Sequence, residues 1–475
     1  VEIRTFVPTP FWRLHAELYK DDTTIIADYE NQRVFKISEV QKIKKRCEGK
    51  KSIVTQVTKS IYRQFPPFPF NTGSLQKDAY QIFGYSPSHT LRIAERLYLS
   101  ALISYPRTSS QKLPSSIDFQ KILTDLQKSK TYNKDASNIL RGKMIPNQGP
   151  KVDPAHPSIY PTGDIPKRTL SSTENKLYDL IVRRFLSVFG EVALREQISV
   201  TVDIGDYLFN IYGKQTLKEG WIKFYRNYTS VDDKVIPYLI KDEKLPLQSI
   251  VIEEKFTKPL SRYNQSTLLE KMEKEDIGTK ATRADIIKTL YDRGYFYGNH
   301  IFATDIALTI NEVMSQYSPK IISVDMTRKI EENLEKIESN QMDDGIVIHQ
   351  AVDQMIDSLA AIKKAEKEIG SKIGQAVITT IHKQNRLSSC PLCNKGTLNI
   401  IRSKKTHKRF IGCSRYIKGC RASAPLPQRG TVTITSKTCS NCGWPIIYLR
   451  FYRKSWRQCV NSTCKSKRKV TKDEM

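Results

Sequence analysis

The chain has 475 residues, more than a single hydrophobic core accommodates, so three or more folding units are expected. A hydrophobic content of 39% suits a globular protein, no stretch approaches the ~18 consecutive apolar residues of a membrane span, and no secretory leader is evident. The 77 Lys and Arg against 49 Asp and Glu leave a formal charge of +28, which points to a polyanion, nucleic acid before an anionic membrane surface.

Residues 1–68 read as strands broken by charged turns; Trp12, Leu14, Ala16 and Leu18 alternate with polar residues, as a half-buried strand requires. After the Pro-rich Phe65–Phe70 the period becomes helical. One helix is expected from about Ser74 to Phe83, and Ser86-Pro87 supplies an N-cap and first-turn proline for a second. The apolar run Ala101-Leu102-Ile103-Ser104-Tyr105 then reads as a strand. Strand character returns over 188–260, with Ile198, Val200, Val202 and Ile204 alternating before a turn at Gly205-Asp206. We therefore expect a discontinuous β-rich domain, 1–68 with 188–260, with a winged-helix-like unit, 69–187, inserted into it.

A second helix–turn–helix pattern follows. Thr267 with Glu270 suggests a capping box, Ile277-Gly278-Thr279 a turn, Thr282 with Asp285 a second box, and the segment after Gly294 a hairpin wing. Helix pairs of this kind can set one helix against nucleic acid or merely pack together. The expected partition continues with a helical domain at 261–369, a polar linker at 370–389, and modules at 390–425 and 436–475.

Eight of the nine cysteines lie in those modules. Cys390-x2-Cys393 is followed by Cys413 and Cys420, and Cys439-x2-Cys442 by Cys459 and Cys464. Each set offers four thiolates for a tetrahedral, structural Zn²⁺ with no open position for catalysis. Cys47, in a Lys-rich stretch, reads as an ordinary free thiol. From Arg386 onward there are 21 Lys and Arg against Asp473 and Glu474, so 21 − 2 = +19 of the charge sits in the last 90 residues. Tyr448, Phe451, Tyr452 and Trp456 interleave with it, a mixture suited to stacked bases and neutralised phosphates, with binding that weakens steeply as salt rises.

Tyr105-Pro106-Arg107-Thr108 places a phenol two residues from a guanidinium, a pair able to attack a phosphodiester and stabilise its charge. Taken alone, a Tyr beside a Pro is usually structural. Four ordered segments change the reading: Asn71-Thr72-Gly73-Ser74-Leu75-Gln76, Leu102–Thr108, His156-Pro157-Ser158-Ile159-Tyr160-Pro161-Thr162 and Gly278-Thr279-Lys280-Ala281-Thr282-Arg283-Ala284. Together they resemble the type IA DNA topoisomerases, in the archaeal topoisomerase I/III flavour, over essentially the whole chain.

The resemblance implies a multidomain α+β toroidal core with a β-rich arch, winged-helix-like helical domains and two carboxy-terminal zinc-ribbon-like modules. It implies Tyr105 as nucleophile, with Arg107 and His156 as its catalytic partners at the phosphate. Thr72, Thr108, Thr162, Thr279, Thr282 and Arg283 would then face DNA. The implied substrates are single-stranded and negatively supercoiled DNA, handled by a cytoplasmic, nucleoid-associated monomer that is not bound to membrane. The family's Mg²⁺ sits on the acids of a Toprim domain, but no Asp-x-Asp occurs here and the chain opens mid-pattern. A Toprim domain in cis or trans is therefore an expected partner. Ser109 also departs from the family, where Asp commonly follows Arg-Thr. A noncatalytic single-strand-binding module is the rival reading; the topoisomerase half of a reverse gyrase is weaker still, since no G-x-x-x-x-G-K-[ST] loop is present.

Overall fold

Alternating apolar residues in two separated stretches of sequence build one antiparallel sheet. Its strands are β1 (Pro10–Lys20), β2 (Thr23–Tyr29), β3 (Ser52–Gln64), β4 (Ala193–Ile204), β5 (Tyr207–Lys218), β6 (Lys244–Leu245) and β7 (Leu247–Phe256). They lie in the order β6-β3-β4-β5-β2-β1-β7, so strands before and after the inserted helices interleave. The computed structural model describes all residues except 1, 165, 167, 230, 452, 453 and 467–475, so Tyr452, Asp473 and Glu474 lie outside the described residues. The chain divides into two compact units, Val1–Arg293 with Gly298–Phe302, and Gly294–Tyr297 with Ala303–Met475.

In the first unit Leu14, Ala16 and Leu18 of β1 bury one face with Val200, Val202 and Ile204 of β4 and Phe209 and Ile211 of β5. The β4–β5 hairpin turns at Gly205 and Asp206, both with positive φ (61° and 69°), the backbone of a two-residue turn that matches strand twist. A helix, Ile37–Cys47, covers this face where charged turns were expected. Its Val40, Ile43 and Cys47 recur at helical spacing among lysines that obscure them. Cys47 is a free thiol, but a buried one: it donates to Ile204 O at 3.1 Å, and burial with the nearby Asp203 pushes it up to about 11.

Beyond Gln56 the sheet runs on as a largely exposed ribbon whose end receives the Trp221 indole N–H on Gln64 O at 3.0 Å. There the helical part of the unit begins, with helices Thr72–Phe83, Pro87–Leu99, Phe119–Gln127, Asn133–Leu140 and Ser172–Ser187. Leu75, Ile93, Leu97, Leu123, Leu177 and Phe185 form their common core. Asn71 and Ser74 make a reciprocal capping box, and the Ser86 side chain caps the helix that starts at Pro87.

Several local expectations are corrected. Ala101–Tyr105 is no strand: Ala101 takes a left-handed φ of 58° and only Ile103 makes an isolated bridge, to Pro161. The box that opens helix Gln265–Lys274 is Asn264 with Thr267, one turn before the expected Thr267–Glu270. Helix Arg283–Asp292 has no side-chain cap; Thr282 Oγ1 instead accepts the Thr279 N–H at 2.9 Å and closes the turn through Gly278. Short strands, Phe296–Tyr297 and Phe302–Ala303, occupy the expected wing.

The second unit begins with helices Asp305–Tyr317, Val324–Glu338, Asp344–Lys364 and Glu366–Asn385. Most of the expected linker at 370–389 is thus helical, with Ala376 and Thr380 buried. It is polar because only a narrow stripe of that helix, Ile369, Ala376 and Thr380, is buried. Two small sheets follow, Arg386–Ser389, Thr397–Arg402, Arg409–Cys413 and Ser423–Pro425, then Thr431–Thr438, Pro445–Phe451 and Lys454–Cys459, sharing one core that includes Leu398, Ile411, Trp444 and Ile447. Among the described residues, no helix is long and apolar enough to cross a membrane.

Glu174 ties the long helix of the first unit to its cap. Arg168 first, and then the Ser171 hydroxyl and N–H, hold its carboxyl down to about 2 despite burial. Because the folded value lies below the ordinary 4.5, its stabilisation is present above that pH and lost as the pH falls through about 2. Glu174→Gln should therefore cost roughly 1–3 kcal/mol at neutral pH. Urea unfolding should show the gap to wild type closing in acid; a gap that persists there contradicts the assignment.

Candidate active site and metal centres

Tyr105 leaves the core on an irregular segment pinned from both sides. Ser104 N–H donates to Tyr160 O at 2.9 Å and Tyr160 N–H to Ser104 Oγ at 3.0 Å, so the segment carrying His156 lies alongside. The Tyr105 and His156 rings sit 4.6 Å apart, tilted by 50°, and Tyr98 packs edge-on against the phenol at 5.3 Å. Both Tyr105 and His156 are half-buried.

Arg107, two residues after Tyr105, has its guanidinium engaged. Its Nε and Nη2 donate to Glu95 Oε1 at 2.9 and 2.6 Å, and its Nη1 to Ala281 O at 3.2 Å. Glu95 thus orients the cation, leaving a phosphate to exchange with or share that partner. In the sequence Tyr98 reads only as one of the residues on a helix face with Leu91, Ala94 and Leu97, and Glu95 not at all, because nothing in helical spacing tells a surface residue from one that lines a site.

Asp153 is the central residue that sequence reading missed. Its carboxylate is buried and accepts Ser109 N–H at 2.9 Å, Ser109 Oγ–H at 3.0 Å, Ala155 N–H at 3.1 Å and His156 N–H at 3.4 Å, and it pairs with the Lys280 ammonium. Burial alone would raise its carboxyl, but Lys280 and these donors hold it well below the usual carboxylate range. A signal existed: Asp-Pro-x-His invites a turn in which the Asp side chain binds the backbone two and three residues on. Ser109 has its reason here too. It donates twice to Asp153, where a second carboxylate would repel it.

The expected DNA-facing residues separate into two groups. Thr72 and Thr108 are buried: the Thr72 hydroxyl donates to Pro106 O at 2.6 Å and accepts Thr108 N–H at 2.9 Å, while the Thr108 hydroxyl donates to His156 O at 3.1 Å. Their side chains hold the loop that carries Arg107. Thr162 is half-buried and donates to Ala101 O at 2.6 Å. Thr279 and Thr282 are exposed at the turn before helix Arg283–Asp292, and Arg283 is half-buried with its Nε on Ile277 O at 3.0 Å. A helix start of this kind presents free N–H groups to anions.

In the second unit the eight cysteines gather into the two expected sets, the Sγ atoms of each within 4.8 Å of one another. Cys390 and Cys420 stand 3.8 Å apart, Cys393 and Cys413 3.8 Å, Cys439 and Cys464 3.7 Å, Cys442 and Cys459 3.4 Å. Four sulfurs around a tetrahedral metal at ~2.3 Å lie about 3.8 Å from each other, so both sets fit zinc. The Lys395 N–H draws Cys393, and the Ser466 hydroxyl Cys439, down to about 6, which supplies each set with a thiolate near neutral pH. Gly396 is required: a Cβ there would meet Cys413 Sγ at 2.6 Å. Metal analysis of purified protein should return two zinc ions per chain, and Cys413→Ser should lower that to one; a wild-type value near zero contradicts both sites.

A family model described as DNA topoisomerase matches residues 1–349. DNA topoisomerase 1 of Pyrococcus horikoshii is 40% identical over 98% of this chain and 68% of its own length, and that of Methanothermobacter thermautotrophicus 38% identical over 98% and 63%. The chain thus spans roughly two thirds of the length of these relatives. Full-length topoisomerase I from Thermotoga maritima shares the fold, with a TM-score of 0.60 at 22% identity, over 91% of this chain and 69% of that one. The ordered motifs, the family match and the fold together mean that this chain belongs to the type IA DNA topoisomerases.

Proposed function

We propose that this chain carries the strand-cleaving tyrosine of a DNA topoisomerase that acts without ATP. What supports the reading is the face made by Tyr105 and His156, with Arg107 two residues on. The Tyr105 oxygen attacks a backbone phosphorus, the P–O3′ bond breaks, and a 5′-phosphotyrosyl link and a free 3′-hydroxyl result. The phenol gives up one proton and the leaving 3′-oxygen takes one, so the step is balanced. A phosphodiester is exchanged for a phosphodiester, which lets the 3′-hydroxyl reverse the reaction without an external energy source. Arg107 neutralises the phosphate, and His156 orders it or moves the proton at the phenol.

Single-stranded and negatively supercoiled DNA are the substrates of this proposal, relaxed or decatenated by strand passage. Thr279, Thr282 and Arg283 meet the backbone at their helix start, and the basic cysteine modules hold single strands. The partition into a discontinuous β-rich domain, an inserted tyrosine unit, a helical domain and two zinc modules belongs to the same reading, as do a monomeric state and a place at the nucleoid. Among the described residues the only clusters able to hold a metal are the two cysteine sets, so the residues present do not fit a Mg²⁺ site. The acids for that ion would come from a Toprim domain in cis or trans. A noncatalytic single-strand-binding module is favoured by this one observation.

Incubation with a 3′-labelled single-stranded oligonucleotide and Mg²⁺, with and without a Toprim domain, separates the two readings. The label is expected on the protein and lost in Tyr105→Phe. An adduct that survives Tyr105→Phe contradicts the assignment, and no adduct under either condition favours the binding module.

A further inference from the structure

The helix–turn–helix around Gly278 meets the Tyr105 unit through polar contacts. Lys280 pairs with Asp153, Lys151 with Glu273 and Lys77 with Glu270, and Arg107 Nη1 reaches Ala281 O at 3.2 Å. Leu269, Met272 and Ile287 form their own small cluster, apart from the core around Leu97 and Ile103. A cavity of about 40 Å³, lined in part by Asn71, Gln76, Glu273, Lys280 and Arg283, lies in this seam and has room for water. Such a seam separates at less cost than a packed apolar interface would.

One contact in it reaches further. The Asp153 side chain is 1% exposed, while Lys280 is 38% exposed and comes from the opposite side of the seam. Besides Lys280, Asp153 accepts the Ser109 and Thr108 hydroxyls and the N–H groups of Ser109, Ala155 and His156, which belong to the two segments that hold Arg107 and His156 in place. A buried carboxylate that loses its only cation is left uncompensated and is driven towards water. Moving there, it would release those amides together.

We infer that Lys280 is a positioning residue: by docking on Asp153 it assembles the Tyr105–His156 face, which is ordered only while the Gly278–Arg283 turn is seated. The inference rests on the proposed roles of Tyr105 and His156. It gives the seam a consequence for the chemistry. When the tyrosine unit separates from the turn, Asp153 loses its cation, and the face that attacks phosphate comes apart until the seam closes again.

Hydrogen exchange on the full chain tests this without recourse to activity. In Lys280→Gln, exchange at the Ser109 and Ala155 amides should speed by about tenfold or more, Lys280→Arg should stay within about threefold of wild type, and helix Ser172–Ser187 should be unchanged in both. Wild-type exchange at Ser109 and Ala155 in Lys280→Gln overturns the proposal, as does an Arg variant as loose as the Gln variant. If Lys280→Gln loosens the reference helix as well, Asp153→Asn decides: it keeps an acceptor for the amides and removes only the ion pair. It should speed exchange at Thr282 and Arg283, whose amides bind Thr279 O at 3.1 and 3.2 Å; no change there overturns the coupling. Failure of the Tyr105 reading would look different, with no DNA adduct and the exchange coupling intact.

Discussion

A carboxylate taken out of water needs donors to replace the water it lost, and the candidate site is arranged around one such group. Asp153 collects the amides of Ser109, Ala155 and His156 and the ammonium of Lys280, groups drawn from three separate stretches of sequence. The loop bearing Arg107 and the segment bearing His156 have no regular secondary structure of their own. Their mutual position follows from this carboxylate, from the buried hydroxyls of Thr72 and Thr108, and from the Ser104–Tyr160 exchange of hydrogen bonds. Tyr105 can therefore stand half-exposed on a segment without strand pairing and still meet His156 at a fixed distance.

The second unit solves a different problem by different means. Its two small sheets are too short to bury a core of usual size, and they share one between them. The cysteine sets lie where strand ends meet loops, so a bound metal would fix the loops that the sheets leave unpaired. Exposed basic residues on those loops, Lys395, Lys418, Arg421 and Lys465, leave the apolar faces to packing and the loop edges to a polyanion.

What the sequence made legible was whatever is local. Alternation identified β1 and β4, Gly205-Asp206 the turn after β4, Ser86-Pro87 a helix start, and paired cysteines the two clusters able to hold metal, because each depends on neighbours within a few residues. What stayed hidden depends on distant partners. The helix Ile37–Cys47 shows three apolar residues among lysines, and its covering of the sheet is visible only once the sheet exists. Asn264 and Thr267 compete as cap residues on equal chemistry, and the fold decides. Tyr105 and His156 were singled out by resemblance and not by physics, while Asp153, which binds the segments around His156, and Glu95, which holds Arg107, carry no motif strong enough to find alone.

The account stands on one oxygen. Tyr98 packs edge-on against Tyr105, and Tyr160 belongs to the segment that is hydrogen-bonded to Ser104, so the assignment must distinguish three tyrosines. Mass-spectrometric mapping of the nucleotide-bearing peptide, after trapping on a single-stranded oligonucleotide with Mg²⁺ and a Toprim domain, distinguishes them. The account predicts the phosphodiester on Tyr105; its appearance on Tyr98 or Tyr160 would contradict it.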